Sequence, residues 1–299
     1  MSSRLISLPF AVNLRQTLGA IRRGSGDPTF RFAADGVWRA TRTAEGRATL
    51  HLRPLGPDRI EAEAWGPGAD RVLDGTFDLV GGRDQPDAFS PGHPLLTDLH
   101  RRRPGLRIPR TGAVFEALLP TVLEQKVTGF EARRSYRQLI RRYSEPAPGP
   151  GGLWLPPDPD VIAGLAYYDL HVIGVERKRA DTLRRVAAHA KRLDAVLDLS
   201  FAAAYQRITA IPGVGAWSAA EVGSTALGDA DAVSVGDYHV PHQIAFALAG
   251  ERRATDERML ELLVPYAGHR GRVQRLVELA GLGPPRRAPR ARVRSIAGL

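Results

Sequence analysis

The apolar and polar residues of this chain follow two different periods. Up to about residue 100, short segments alternate apolar and charged positions, which is typical of antiparallel strands that place one face on a core. A turn containing Asp35-Gly36 separates the first two of these segments. The predicted strands are 29–32, 37–41, 48–52 and 60–64, and a short predicted helix over 14–21 precedes them.

In the second part of the chain the apolar residues recur with the period of a helix. Phe115, Leu118, Leu119, Val122 and Leu123 fall at i, i+3, i+4, i+7 and i+8, so they form one face of a core-facing helix. The proline- and glycine-rich segment 146–157 is predicted as a loop inside this part, because helical sequence resumes directly after it. The further predicted helices are 160–168, 178–193, 201–208 behind a Ser200 cap, 216–227, 240–249, 256–264 and 270–280.

These patterns predict an α+β fold with a small N-terminal antiparallel sheet domain followed by an all-helical domain. The predicted boundaries are 1–105 for the sheet domain and 106–283 for the helical domain. The remaining segment, 284–299, has few apolar residues and five arginines without an acid, so we expect a basic flexible tail.

The composition excludes several classes of protein. The chain has 299 residues and no cysteine, which excludes disulfide frameworks, thiol nucleophiles, cysteine zinc sites and thiolate-bound iron–sulfur clusters. No apolar run approaches the roughly 18 residues of a membrane span, and the start MSSRLISLPF lacks the apolar region of a signal peptide. We therefore expect a cytoplasmic protein without membrane contact.

The positive charge of the chain is localised. The formal net charge is +10, and residues 101–150 contain ten arginines and one lysine against four glutamates. Localised basic charge indicates a polyanionic partner, and a basic surface without such a partner is the alternative. Nucleic acid is favoured over a membrane surface, because no basic amphipathic helix with an aromatic face is present in the sequence. A nucleoid-associated location in the cytoplasm follows from this expectation.

The segment 209–217, Thr-Ala-Ile-Pro-Gly-Val-Gly-Ala-Trp, lies between two predicted helices. Gly213 and Gly215 permit left-handed backbone angles and close approach, so the turn can present free amides at the start of the next helix. A DNA phosphate fits such a turn. An ordinary tight connection between two helices is the alternative.

Asp237 lies 22 residues after Gly215, just ahead of a predicted helix. Capping that helix is the commonest role for an aspartate at such a position. Asp237, His239 and His242 also form a D-x-H-x-x-H pattern that suits metal ligands, which leaves a metal-dependent hydrolase as another interpretation.

The spacing of hairpin, helix, short loop and Asp237-Tyr238 resembles the helix-hairpin-helix base-excision DNA glycosylases. The similarity is greatest to the alkylbase branch, the 3-methyladenine DNA glycosylase II type. It is best from residue 104 to 279 and extends weakly to the first 100 residues. The motifs that carry it are the segment 103–109, the Leu123-Glu124-Gln125-Lys126-Val127 sequence, the stretch 175–183 and the hairpin 209–217.

The resemblance implies a role for several residues of this chain. It makes Asp237 the catalytic carboxylate and places Trp217 where bifunctional relatives have a Schiff-base lysine, so no lyase activity is expected. No cofactor is required, and backbone carbonyls at the hairpin would hold Na⁺ or K⁺. The implied base pocket is Trp217, Tyr238, Glu221 and Glu278, the implied DNA contacts are Gly213, Val214, Gly215, Gln125, Lys126 and Arg270, and the implied cation ligands are Thr209, Ile211 and Gly213.

The implied activity is that of a monofunctional DNA glycosylase that acts as a monomer on double-stranded DNA containing damaged bases. It would hydrolyse the N-glycosidic bond of alkylated, cationic purines in base excision repair. A cationic base leaves without a proton, so one carboxylate that stabilises the sugar cation is sufficient. The base must be extruded and replaced by a wedge, and Lys126 occupies the position of an apolar wedge. The alternative is a non-catalytic helix-hairpin-helix protein that binds damaged or bent DNA.

Overall fold

A computed structural model describes residues 1–285 of the chain. The N-terminal part contains a five-stranded antiparallel sheet with the strand order β1-β5-β4-β3-β2. Most of the predicted tail, from residue 286 onward, lies outside the described residues. The strands are β1 Ser2–Ser7, β2 Phe30–Phe32, β3 Val37–Thr43, β4 Gly46–Pro54 and β5 Arg59–Trp65.

Helices make up most of the remaining described chain, and within residues 1–285 none of them is long and apolar enough to cross a membrane. The predicted α+β fold, with a sheet followed by helices, is confirmed. The helices are α1 Leu14–Leu18, α2 Ala69–Asp74, α3 Thr76–Leu79, α4 Pro94–Arg101, α5 Val114–Glu124, α6 Gly129–Tyr143, α7 Pro159–Gly164, α8 Tyr167–His171, α9 Arg177–Ala188, α10 Ala190–Asp194, α11 Phe201–Thr209, α12 Ala216–Val222, α13 Val240–Ala249, α14 Asp256–Leu263 and α15 Arg270–Leu279.

The sheet buries one face against α1 and α2. In β5 the buried Ile60, Ala62 and Ala64 alternate with more exposed charged residues, as the period-2 pattern predicts. The sequence analysis did not predict β1, whose side chains are mostly exposed, since Leu5 is 63% accessible. An edge strand of this kind is held by its backbone pairing with β5, and its sequence gives little signal.

The apolar core of the helical part centres on α5, whose predicted face is buried. The same helix connects this core to the sheet through Glu116 in its first turn. The Glu116 carboxylate accepts hydrogen bonds from Thr41 Oγ1 and from the backbone N–H of Arg42, both at 2.8 Å. One helix therefore fixes the sheet and the helical core relative to each other.

Another apolar cluster joins α4 to α13, α14 and α15, with Leu96 and Leu99 packed among Ile244, Met259 and Val273. Beside it, the Arg272 guanidinium pairs with Asp84, and both side chains are only 1% exposed. Packing therefore runs across residue 105, and the division into two domains at that position stays a prediction.

Several predicted elements differ from the structure. Helix α4 begins at Pro94 in a stretch where no helix is predicted, because proline is well suited to the first turn of a helix. The predicted helix 160–168 is divided between α7 and α8, and 178–193 is divided at His189. The predicted helix 216–227 changes to a π-turn at Gly223–Leu227. There the Ser224 and Thr225 hydroxyls donate to the carbonyl of Glu221 at 3.0 and 2.8 Å.

Candidate active site

The hairpin between α11 and α12 combines two different glycines. Gly213 has a φ of +97°, and a Cβ there would lie 2.1 Å from Thr182 Oγ1, so the turn requires glycine. Gly215 has an extended backbone, with φ −99° and ψ −175°, and an added Cβ would meet nothing within 4 Å. Both glycines were predicted to permit left-handed backbone angles, but only Gly213 adopts one. Between them, Val214 is buried and donates its N–H to Ile211 O at 3.0 Å.

The end of α5 lies against this hairpin. The Gln125 side chain donates from Nε2 to Gly213 O and to Ser218 Oγ, both at 3.0 Å. The next residue, Lys126, is exposed and has a φ of +55°, and it is the only non-glycine residue of the described chain with positive φ. Such backbone strain persists where the surroundings impose it, and it is frequent at functional sites.

Asp237 is held from two sides. Its Oδ1 accepts the backbone N–H groups of His239 and Val240 at 2.6 and 3.0 Å, which satisfies amides at the start of α13. Its Oδ2 accepts the indole N–H of Trp217 at 3.2 Å. The predicted helix-capping interaction is therefore present, and the same carboxylate is also oriented by the residue that follows the hairpin.

The side chains of Tyr238 and His242, which follow Asp237 closely in sequence, contact other groups. Tyr238 does not join the predicted base pocket in this structure, because its side chain is 79% exposed and its ring contacts those of His239 and His242. His242 Nδ1 accepts the backbone N–H of Ala254 at 3.2 Å. Among residues 1–285 no group of three or more histidine, cysteine or acidic residues is arranged to hold a metal ion.

Glu221 and Glu278 belong to one hydrogen-bonded network, and their role in a base pocket stays a prediction. Ser234 Oγ lies 2.6 Å from Glu221 Oε1. Gln274 Nε2 donates to Ser234 Oγ at 2.9 Å and to Glu278 Oε1 at 2.8 Å. The sequence analysis did not single out Ser234 or Gln274, because a lone serine in a loop and a glutamine in a helix carry no pattern of their own.

Burial shifts the pKa values of both glutamates upward. The pKa of Glu221 is raised to about 7, mainly by burial, although the Ser234 hydrogen bond and the charge of Arg23 oppose the shift. Burial also raises the pKa of Glu278, and the negative charge of Asp237 adds to that effect.

A cavity of about 420 Å³ opens at Glu124, between the loop after α1 and the start of α6. The Arg23 side chain, only 11% exposed, lies 3.5 Å from Glu124. Burial acts to lower the pKa of Arg23, but the nearby charges, with Glu124 and Glu221 foremost, outweigh that effect and raise it. Arg23 lies in the loop between α1 and β2, and no local pattern points to it. The cavity is lined by Gly19, Arg22, Arg23, Gly24, Ser25, Phe32, Glu124 and Arg133.

Two further predicted sites can be located. Arg270 forms an ion pair within the chain, since its Nε lies 2.9 Å from Asp231 Oδ1, so a DNA contact by Arg270 stays a prediction.

Two of the carbonyls predicted to hold Na⁺ or K⁺ already accept hydrogen bonds. The Ile211 carbonyl accepts the backbone N–H of Val214, and the Gly213 carbonyl accepts the side-chain amide of Gln125. Each carbonyl oxygen keeps a second lone pair, and a monovalent cation held by Thr209, Ile211 and Gly213 stays a prediction.

Comparisons with known proteins connect this arrangement to DNA repair enzymes. No family model matches the chain. A Mycobacterium tuberculosis protein named "Probable bifunctional transcriptional activator/DNA repair enzyme AlkA" is 31% identical over 146 residues, which are 48% of this chain and 29% of that protein. The DNA-3-methyladenine glycosylase of Bacillus subtilis is 26% identical over 178 residues, which are 58% of this chain and 59% of that enzyme.

The fold agrees over almost the whole chain. A solved 3-methyladenine DNA-glycosylase from Archaeoglobus fulgidus superposes with a TM-score of 0.78 at 18% identity, covering 92% of this chain and 97% of that chain. The predicted resemblance is thereby confirmed: the chain has the fold of the helix-hairpin-helix DNA glycosylases and is related in sequence to proteins named AlkA and DNA-3-methyladenine glycosylase.

Proposed function

We propose that this chain is a monofunctional DNA glycosylase that removes alkylated, cationic purines from double-stranded DNA. The observation that carries the proposal is the orientation of Asp237 by the Trp217 indole, directly after the hairpin. One ionised carboxylate at this position can stabilise the sugar cation that develops as the C1′–N9 bond breaks. A cationic purine supplies its own leaving-group charge, so this chemistry needs no proton donor.

The surrounding charges support a cationic substrate. Glu124 and Glu278 act electrostatically on Glu221, and Asp237 acts on Glu278, so these acids lie within electrostatic range of one another, and carboxylates favour a positively charged ligand. Trp217 lies on α12, the helix that also carries Glu221, and its indole ring suits cation–π contact with a positively charged base. The hairpin backbone around the exposed Gly215 is open to a DNA phosphate, because no side chain blocks it.

Base release from methylated duplex DNA tests the proposal. We expect release of 3-methyladenine and an abasic strand that stays intact until alkali treatment, because Trp217 cannot form a Schiff base. Borohydride should trap no covalent complex. A trapped complex would contradict the monofunctional assignment, whereas duplex binding without release of any base would favour the DNA-binding protein without catalysis.

The strained Lys126 provides a prediction about the wedge. Lys126→Gly should raise the free energy of unfolding by about 1 kcal/mol, because glycine removes the cost of the left-handed backbone. The same change should slow excision, because it removes the side chain that fills the space of the extruded nucleotide. Urea unfolding and single-turnover excision measure the two effects.

Lys126→Ala is the matched control for this experiment. Alanine removes the same side chain but keeps the backbone strain, so excision should slow as in Lys126→Gly while stability does not rise. If both variants excise bases at the rate of the unaltered protein, the wedge lies elsewhere.

A further inference from the structure

Three exposed arginines of α6 have no partner within the described chain. They are Arg133, Arg134 and Arg137, and none of them forms an ion pair or a hydrogen bond within residues 1–285. We propose that these side chains, the α6 arginines, bind phosphates of the undamaged DNA strand, opposite the strand that carries the lesion. The inference rests on the proposed function for its ligand, duplex DNA, and it adds a second contact surface to the hairpin.

The charge of the α6 arginines is not neutralised locally. Other exposed arginines of the chain have acidic partners, as Arg101 and Arg102 show, since both lie within 3.0 Å of Asp98. Helix α6 has a single acid, Glu131, whose carboxylate accepts the Thr128 hydroxyl at 2.7 Å in the capping box. The α6 arginines therefore form a local excess of positive charge, which favours a polyanion such as the DNA backbone.

The loop after α1 holds two of these side chains in place. Gly24 has a φ of +85°, and a Cβ there would lie 2.8 Å from Arg133 Cδ. A Cβ at Gly26 would lie 2.9 Å from Arg137 Nη1. Glycine at both positions leaves room for the arginine side chains to lie along the loop, while both arginines remain exposed to solvent. Side chains that are already ordered lose less conformational entropy when they bind.

The end of α5 connects this loop to the hairpin. Gln125 Nε2 donates to Gly213 O in the hairpin at 3.0 Å. The preceding residue, Glu124, lies 3.5 Å from Arg23, which belongs to the loop that contacts the α6 arginines. The exposed Lys126 follows directly. The chain that leads to the wedge position thus contacts the hairpin through one residue and the loop beside the α6 arginines through the other.

This arrangement assigns each surface to one DNA strand. A side chain that enters the base stack from the minor groove has one strand on each side. The hairpin is assigned to the damaged strand, because Trp217 directly follows it and orients Asp237. The α6 arginines then face the undamaged strand. Four residues rise about 6 Å along a helix, and a strand carries one phosphate per about 3.4 Å of duplex, so the row can meet about two phosphates.

Neutralising the phosphates of one strand at a time tests this assignment. The probe is a duplex with a reduced abasic site, in which uncharged methylphosphonates replace about three phosphates beside the site or about three phosphates opposite it. Fluorescence anisotropy measures binding between about 50 and 200 mM salt. The unaltered protein should bind both modified duplexes more weakly than the unmodified one, because fewer counterions are released.

Arg133→Gln with Arg137→Gln is the decisive double variant. The slope of log affinity against log salt should become shallower by about 2, because two phosphate contacts are lost. The variant should no longer respond to methylphosphonates in the undamaged strand, but it should keep its response to those in the damaged strand. Thermal unfolding checks that the variant folds.

Arg101→Gln with Arg102→Gln is the matched control. It removes the same charge from two exposed side chains at the end of α4, which are 75% and 68% accessible. Its salt slope and its response to both modified duplexes should equal those of the unaltered protein. An equal loss of slope in the two double variants would show that net charge alone matters, and it would overturn the inference.

The remaining outcomes separate this inference from the proposed function. An unchanged salt slope in Arg133→Gln with Arg137→Gln, or a response to the undamaged strand that persists, overturns the inference and leaves the proposed function intact. Loss of the response to the damaged strand instead also overturns it. The expected binding results without release of any base from methylated DNA overturn the proposed function and leave the inference standing.

Discussion

Replacing Asp237 with asparagine is expected to slow single-turnover base excision by about 10² to 10³-fold, comparable to the loss of one preorganised electrostatic group. Asparagine keeps the size of the side chain and can still accept the backbone N–H groups of His239 and Val240. It removes the negative charge that stabilises the sugar cation. DNA affinity should be kept or rise, since one charge that repels phosphates is gone.

The Asp237→Asn change also disturbs the bond to Trp217, because the new amide N–H₂ group cannot accept the indole N–H. Trp217→Phe is therefore the matched control, since it removes the same hydrogen bond and keeps the carboxylate charge. Excision by Trp217→Phe should fall by much less than excision by Asp237→Asn. Normal excision by Asp237→Asn, with unchanged thermal stability, would reduce Asp237 to a helix-capping residue.

The largest expected effect on stability concerns the pair between Asp84 and Arg272. Asp84→Ala should lower the free energy of unfolding by about 3–5 kcal/mol, because it leaves the guanidinium buried without its counter-charge. Both side chains are 1% exposed, and Asp84 Oδ2 also accepts the backbone N–H of Ile108 at 3.0 Å. Urea unfolding of the purified variant measures the effect.

The exposed pair of Arg4 and Asp74 is a suitable control, because its side chains are 45% and 57% accessible. Asp74→Ala should cost about 0–1 kcal/mol, since water screens such pairs. The double change of Asp84→Leu with Arg272→Met should cost less than Asp84→Ala alone, because no buried charge is left unpaired. Equal stabilities of Asp84→Ala and Asp74→Ala would contradict the role of burial.

The sequence predicted the parts of the fold whose periodicity is strong and local. The strands around 37–64 and the helix α5 are of this kind, because each buries a regular face. Elements that depend on distant partners were not predicted. The exposed β1 is held by pairing with β5, and the π-turn after α12 forms where two hydroxyls bind the carbonyl of Glu221.

The residues of the candidate site also fall into those that the sequence indicated and those that it did not. Asp237, Trp217 and the hairpin glycines follow from motif spacing, and the structure places Asp237 and Trp217 in contact. Arg23, Ser234 and Gln274 come from a loop near the sheet, a loop before α13 and the helix α15. Gln274 binds Ser234, and Arg23 acts on Glu221, only in the folded chain, so no local pattern in the sequence could have indicated them.

The cluster that joins α4 to the last helices has a consequence for how the chain is made. The apolar face of α4, with Leu96 and Leu99, has its partners on α13, α14 and α15. A ribosome delivers α4 well before α15, which begins only at Arg270. A nascent chain therefore carries α4 without these partners while residues 102–239 are made, and premature termination before α13 leaves a product that exposes this helix to aggregation or to a chaperone.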